Sequence, residues 1–527
     1  MLLVLVFNMK RKINYKVNKK TVEREISYIP VRYIIAVMIT LAEIIGIIGT
    51  VVILCYFVPY FYLLAFATEI ACIVKIASSD DNPDYKIPWL LVVVFLPIAG
   101  FMLYFIFSKR TLKKKFLNKL DRLKKVSLAK NDASDELERK NIIASLQAKQ
   151  LCKIADTELY SDTRQEYFES GEKMLPRLLA DLETAENFIF MEYFIIEEGV
   201  FWNSILKILQ KKAASGVDVK LIYDDIGCMK TLHGSYYKQL RKMGIEATTF
   251  SRLRGSADSE FNNRNHRKIT VIDGKIGYTG GINIADEYIN ERERFGYWKD
   301  NAIRIEGNAV SQLTKLFLTD FYINTKSAPP SLDKYYVNRE SASINEFLIP
   351  FGDGPKSIYQ HRVAKILIEN MLTSATEYVY ITTPYLIIDN ELCKCIENTA
   401  LKGVDVRIIV PHIPDKRMVF GITRSFYYRL LNAGVKIYEF EPGFIHAKTY
   451  ISDDKYAIIG TINLDYRSLV HHFENGIWMY NCSSIRSIKN DVDEAIQKSI
   501  KIEKSTLKIN LFKRILRSIV RIFSPLL

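Results

Sequence analysis

Six side chains in two short stretches can carry phosphoryl-transfer chemistry. Asn265–Asp273 reads N-H-R-K-I-T-V-I-D, and Ile445–Asp453 reads I-H-A-K-T-Y-I-S-D. Each holds a histidine, a lysine two positions on and an aspartate after four more residues: His266, Lys268 and Asp273, then His446, Lys448 and Asp453. Glycine follows each aspartate by seven residues, and asparagine comes three later, giving Gly280 and Asn283, then Gly460 and Asn463. Imidazole attacks phosphorus or moves a proton near neutral pH. Lysine ammonium and asparagine amide groups stabilise the non-bridging oxygens of a phosphate. With two lysines in that role the chemistry needs no divalent metal, and no cofactor is implied. A lone histidine or lysine on a strand is ordinarily structural. Two copies with equal offsets are hard to obtain by chance and point to one duplicated site.

The elements that position these groups follow from the pattern. Lys268–Ile272 is β-branched and apolar, as a buried strand should be. On a strand His266 and Lys268 share a face. Asp273-Gly274-Lys275 predicts a tight turn, and Ile276–Thr279 the return strand, ending where Gly280-Gly281 lets backbone approach a ligand. The second copy repeats the plan with Lys448–Ile451, a turn near Ser452-Asp453-Asp454, and Tyr456–Ile459. Upstream, Asn187–Ile196 parallels Glu377–Ile387, Gly216–Tyr223 parallels Gly403–Val410, and Gly244–Phe250 parallels Gly434–Phe440. Helical stretches such as Val200–Lys212 and Asn390–Lys402 intervene. The order predicts two α/β layered domains that bring one motif each to a shared centre.

The doubled H-x-K-x(4)-D with its trailing G-[GST]-x-N resembles the phospholipase D superfamily. The strings N-H-R-K-I-T-V-I-D-G-K-I-G-Y-T-G-G-I-N-I-A-D-E-Y and F-G-Y-W-K-D resemble, more narrowly, bacterial cardiolipin synthases, and the likeness covers roughly residues 60–527. Thr461 stands where the superfamily more often has serine. The resemblance implies two phospholipase D-like α/β/α sandwich domains related by a pseudo-two-fold axis. It implies a phosphohistidine intermediate, with phosphatidyl transfer between two phosphatidylglycerol molecules giving cardiolipin and glycerol. By the family's usual order His266 is the nucleophile and His446 the general acid/base; the residues alone leave that order open. Asn283 and Asn463 are expected at the phosphate. Asp300, 34 residues after His266, and Glu474, 28 after His446, match positions of histidine-orienting acids. Asp273 and Asp453 are expected to support the hairpins through buried ion pairs. Arg264 is placed to reach a headgroup phosphate. A phospholipase D releasing phosphatidic acid is the alternative within enzymes; a nuclease and a lipid-binding scaffold stand further off.

The 527 residues carry 73 Lys and Arg against 59 Asp and Glu, a net charge of +14. Such a surface suits nucleic acid or an anionic membrane, and the apolar runs favour the membrane. Tyr33–Ile76 is almost continuously apolar, broken at Pro59, and Ile87–Phe107 is uncharged. Each is long enough for a span. Basic flanks at Lys10–Arg32 and Lys109–Lys119, with an acidic connection at Ser78–Lys86, predict an even number of spans and cytoplasmic catalytic domains. Two true spans are expected, with a third segment marked by Pro59 and Glu69 that only dips into the membrane; three spans are the alternative. The seven cysteines form no metal or disulfide pattern. The expected organisation is a basic N-terminus (1–32), a transmembrane anchor (33–108), a charged linker helix (109–150), domain 1 (151–325), a linker (326–343), domain 2 (344–503) and a basic amphipathic helix (504–527). Anionic phospholipid and the cell membrane are the expected partners; nucleic acid is not.

Overall fold

The computed structural model describes residues 10–17, 20–27, 31–96, 99–107, 133–252, 263–325, 333–336, 343–507 and 511–526. The first half of the charged stretch after Lys109, residues 253–262 and much of 326–343 lie outside them. The chain divides into two compact units, one of Met1–Lys109 with Arg252–Phe261 and Pro525–Leu527, the other of Arg110–Ser251 and Asn262–Ser524.

In the first unit Lys10–Val17 pairs antiparallel with Lys20–Ser27. Helices Val31–Phe57, Pro59–Ser78, Pro83–Phe95 and Ala99–Phe107 follow. Pro59 opens the second helix, where its missing N–H leaves no bond unmade. The run Ile87–Phe107, expected to be one span, is divided between two helices that end at Phe95 and begin again at Ala99. Gly100 permits the close return, since a Cβ there would lie 2.3 Å from the Val92 carbonyl. Among the described residues no helix is long and apolar enough to cross a membrane.

The second unit holds two α/β lobes with the same strand order. The first sheet runs Arg164–Phe168, Ala302–Glu306, Ile276–Gly280, Ile269–Ile272, Phe188–Tyr193, Asp218–Asp224, Glu246–Phe250. The other runs Phe347–Asp353, Glu474–Tyr480, Tyr456–Gly460, Thr449–Ser452, Tyr378–Thr382, Asp405–Pro411, Lys436–Phe440, then an added edge strand Ser499–Ile502. Parallel pairs on one side and the antiparallel hairpin on the other meet at the central strand of each lobe. Helix Gly171–Glu183 shows how the flanking layers form. Ser170 caps its N-terminus by accepting from the Lys173 N–H, and Met174, Leu178 and Leu182 recur every four residues to bury one stripe. One hydrophobic cluster crosses both lobes, joining Phe190, Ile303 and Phe317 to Leu348, Ile451 and Ile477. The lobes therefore share a core, which fixes the facing edges on which the two motifs sit.

The end of the expected linker helix is not free. Ala133–Lys140 and Ile142–Ala155 lie on the second lobe, where Gln147 donates to Ser374 and Asn370 to Gln150. The terminal helix spans Leu511–Ile522, and Arg521 stacks its guanidinium 5.2 Å from the Phe426 ring centre.

Candidate active site

Both histidine motifs end in the same turn. Asp273 and Gly274 have φ of 51° and 61°, and Asp453 and Asp454 both have 53°, the two positive values a type I′ hairpin needs. Among the described residues Asp273 and Asp453 make no ion pair, contrary to expectation. Asp273 instead accepts the backbone N–H groups of Glu186, Asn187 and Phe188 at 2.7–2.8 Å. Asp453 accepts those of Thr376, Glu377 and Tyr378 at 2.7–3.0 Å, and the Thr376 hydroxyl. Each carboxylate thus ties its hairpin to the start of the central strand, at the far end from the histidine. Burial alone would raise the Asp453 carboxyl, but these donors outweigh it and hold it below the usual range.

The histidines lie just before their strands, and each is anchored in the opposite lobe. The His266 N–H donates to the Phe473 carbonyl at 2.9 Å, and the Phe473 N–H to the Arg264 carbonyl at 2.8 Å. The His446 N–H donates to the Lys299 carbonyl at 2.6 Å, and Gly443–Ile445 pairs parallel with Tyr297–Lys299. Side chains cross in the same way. His266 Nδ1 lies 3.0 Å from Glu474 Oε2, and His446 Nδ1 lies 2.6 Å from Asp300 Oδ2. Each orienting acid therefore serves the histidine of the other motif.

The two half-sites hold their acids differently. Gly281 leaves room for Asp300, because a Cβ there would lie 2.0 Å from Asp300 Oδ1. Its counterpart Thr461 donates its hydroxyl to Glu474 Oε2. Threonine in place of serine keeps that bond.

Lys268 Nζ donates to the His266 carbonyl at 2.7 Å, and Lys448 Nζ to that of His446. Lys448 Nζ also stands 2.8 Å from His446 Nδ1. That nitrogen cannot both donate to Asp300 and accept from Lys448. The shorter, charge-assisted contact with Asp300 takes the proton, which leaves the Nε2 lone pair for chemistry. Burial lowers His266 to about 3 and His446 to about 4, so both imidazoles rest neutral. Burial and the neighbouring ammonium push Lys268 down to about 7, and burial pushes Lys448 down to about 8. Burial alone would raise Glu474 and Asp300, but His266 in one case and His446 with Lys448 in the other hold both below the usual carboxylate range. Lys268 feels Glu474, Asp300 and Lys448 together, and His446 feels Lys268. The half-sites share one electrostatic environment.

The asparagines differ. Asn283 accepts from the Ile195 N–H at 3.1 Å and donates to the Tyr288 hydroxyl at 2.8 Å, so part of its amide is already engaged. Asn463 Oδ1 is buried with no hydrogen-bond partner. Arg264, expected near a headgroup, is buried and fully engaged with protein groups. It forks onto Asp224 at 3.0–3.2 Å and donates to the carbonyls of Phe250 and Ser251. Its neighbour Arg267 pairs with Asp320 at 2.8 Å, so the residues around His266 are clamped from behind.

Several site residues were not singled out from the sequence. Trp298 and Tyr288 pack on His446 with ring centres 5.4 and 5.5 Å away, and Phe194 packs on His266 at 5.1 Å. Trp298 stands in the Y-W-K-D string that marked Asp300, so its signal was adjacent. His472, from H-H-F-E-N, lies with its ring centre 5.6 Å from that of His266. Its signal was also adjacent, beside Glu474.

Comparison with known proteins follows the same two lobes. A family model described as "Cardiolipin synthase, PLD-like domain" matches residues 178–320 and 368–496, and one described as "Phospholipase_D-nuclease N-terminal" matches 70–109. An uncharacterized protein of Streptococcus mutans is 40% identical over 87% of this chain and all of its own length. A cardiolipin synthase of Alkalihalophilus pseudofirmus is 34% identical over 85% of this chain and 90% of its own. Cardiolipin synthase 2 of Bacillus anthracis is 33% identical over 87% and 89%. Among solved structures, the phosphatidylserine synthase of Haemophilus influenzae aligns with a TM-score of 0.57 at 15% identity, over 72% of this chain and 97% of that one, a likeness of fold.

Proposed function

We infer the reaction from family and site together: the chain belongs to the cardiolipin synthase family of phospholipase D-like proteins and is a phosphatidyltransferase. It joins two phosphatidylglycerol molecules into cardiolipin and releases glycerol. The observation that carries the mechanism is the pair of crossed imidazole–carboxylate contacts in one buried interface.

In the first half-reaction the His266 Nε2 lone pair attacks phosphorus while Glu474 holds Nδ1–H. The P–O bond to the glycerol headgroup breaks, and the imidazolium of His446 protonates the departing alkoxide. The phosphatidyl group is then carried on His266. In the second half-reaction neutral His446 takes the proton from a hydroxyl of the second phosphatidylglycerol. That oxygen attacks phosphorus, and His266 leaves. Lys268 and Lys448 turn from internal contacts to the non-bridging oxygens, joined by the Asn463 amide, with Asn283 supporting from the opposite half-site. Asp273 and Asp453 hold the hairpins and do not touch substrate.

The same reading puts the chain on a bilayer. Its support is the almost continuously apolar sequence of Tyr33–Ile76, together with the basic flanks. The catalytic lobes then face the cytoplasm.

Purified chain incubated with phosphatidylglycerol vesicles and a chelator is expected to yield equal amounts of cardiolipin and glycerol, read by mass spectrometry. His266→Ala and His446→Ala each abolish both products. Phosphatidic acid as the main product would replace transfer by hydrolysis, and synthesis retained in either variant would refute the two-histidine scheme. With a donor whose leaving group needs no protonation, His446→Ala accumulates the phosphatidyl-enzyme and His266→Ala does not; the reverse result exchanges the roles.

A further inference from the structure

The chemistry above uses two imidazoles, yet a third lies against the same carboxylate. His472 is 7% exposed, and among the described residues neither of its buried ring nitrogens has a partner at hydrogen-bond distance. Its Nδ1 stands 3.7 Å from Glu474 Oε1, beyond hydrogen-bond range. Leaving two buried ring nitrogens unpaired costs free energy that an ordinary core position would not tolerate. The residue is carried there by a π-helical turn at Arg467–His471, a local irregularity that recurs at functional sites. One ligand atom each from His266, His472 and Glu474 all fall within 4.8 Å of one another.

That donor set is a chemistry of its own. Two imidazoles and one carboxylate, with a water in the fourth position, make a tetrahedral zinc site with bonds of about 2.0–2.2 Å. Such bonds put neighbouring donors about 3.3–3.5 Å apart. His266 Nδ1 is already 3.1 Å from Glu474 Oε1, and His472 lies 3.7 Å from the same oxygen. Only the two rings must draw together, by rotation of the His472 ring, whose nearest charged group is the Glu474 carboxylate itself. The Thr461 hydroxyl on Glu474 Oε2 supplies the outer contact that orients a ligating carboxylate.

We propose that His266, Glu474 and His472 form a binding site for a zinc-class divalent ion, and that its occupancy switches the enzyme off. The ion takes a lone pair of His266 and one of His472, and a Glu474 oxygen; any ring proton it displaces goes to solvent. Nothing is oxidised or reduced. Imidazole and carboxylate together favour zinc over magnesium or calcium, so the effect is separable from cations that merely coat anionic lipid. Binding stands whatever reaction the site performs; inhibition alone rests on the function proposed above.

The test uses the full chain in detergent, without lipid. After dialysis against zinc at a few micromolar and removal of the excess, wild type is expected to retain one zinc that His472→Asn and His472→Gln lose. Magnesium in tenfold excess does not compete. Cobalt in place of zinc gives the intense visible absorption of a tetrahedral site in wild type, a signature that needs no variant. Zinc also raises the wild-type melting temperature but not that of the variants, whose metal-free melting temperatures show that they fold. Absence of bound zinc and of the cobalt spectrum in wild type overturns the site. Equal zinc content in wild type and variants overturns the assignment to His472. In vesicles, zinc inhibits wild type at least tenfold more strongly than either variant; equal inhibition overturns the switch while leaving the binding result to stand.

Discussion

Replacing Glu474 by glutamine keeps the shape of the contact with His266 and removes its charge. The carboxylate stabilises the imidazolium character that grows on His266 as phosphorus is attacked, so the loss belongs to the transition state. A kcat fall of about 100- to 10,000-fold is expected, with KM little changed. Asp300→Asn should act likewise through His446, and steady-state kinetics on phosphatidylglycerol vesicles check both. An effect confined to KM would show that the acids bind substrate and do not orient the rings. A second residue-scale consequence concerns pH. Burial lowers the two imidazoles to about 3 and 4 and the two lysines to about 7 and 8. A phosphodiester adds a negative charge, which raises every nearby pKa. Binding therefore takes up protons near neutrality, first on the lysines, whose values lie nearest to it, and raises His446 toward the protonation that the leaving group needs. A phosphonate analogue should bind more tightly as pH falls from 8 to 6. Calorimetry in buffers of different ionisation enthalpy measures the uptake; affinity flat across that range would sink the argument.

At the scale of elements, the hairpins carry the site and the turn aspartates carry the hairpins. Asp273→Ala leaves three backbone N–H donors without their acceptor. Bonds to a charged group contribute about 1.5–3 kcal/mol each and do not add fully, so a stability loss of about 3 kcal/mol is expected. Urea unfolding measures it. Activity of the folded fraction should fall less than about tenfold, because the carboxylate lies at the far end of the strand from His266. This level was the most legible in the sequence. The period-two runs, the turn residues and the repeat gave strands and helices close to those observed, since each is a local choice agreeing with the global fold. Partnerships across the lobes were not legible. Nothing in the spacing of Asp300 from His266 records that Asp300 serves His446. Arg264 beside the motif reads as a ligand until Asp224 is placed behind it. The turn aspartates suggested ion pairs because a sequence shows side chains and not the backbone N–H groups that meet them.

At the scale of the whole molecule, the charge of +14 and the terminal helix bear on where the catalytic lobes work. A basic amphipathic helix can seek a membrane surface or dock on the body of its own chain. The structure combines them: Arg521 rests on Phe426, while Ile515, Ile519 and Ile522 are 51, 49 and 41% exposed along one side of Leu511–Ile522. Spacings of four and three residues align them in a row. Lys513, Arg514 and Arg517 lie in the same stretch of sequence. An exposed apolar row in a basic sequence suits the headgroup boundary of an anionic bilayer, where burial of each isoleucine is worth about 1.5–3 kcal/mol. Changing Ile515, Ile519 and Ile522 together to glutamate removes that burial and adds like charge facing the lipid. Activity on phosphatidylglycerol vesicles should fall at least about tenfold, and activity on substrate dissolved in detergent micelles should hold, because the site itself is untouched. High salt should weaken vesicle activity of wild type in the same direction. Equal loss in vesicles and micelles would mean that the helix supports the fold through its contact with Phe426, and that the exposed isoleucines face water.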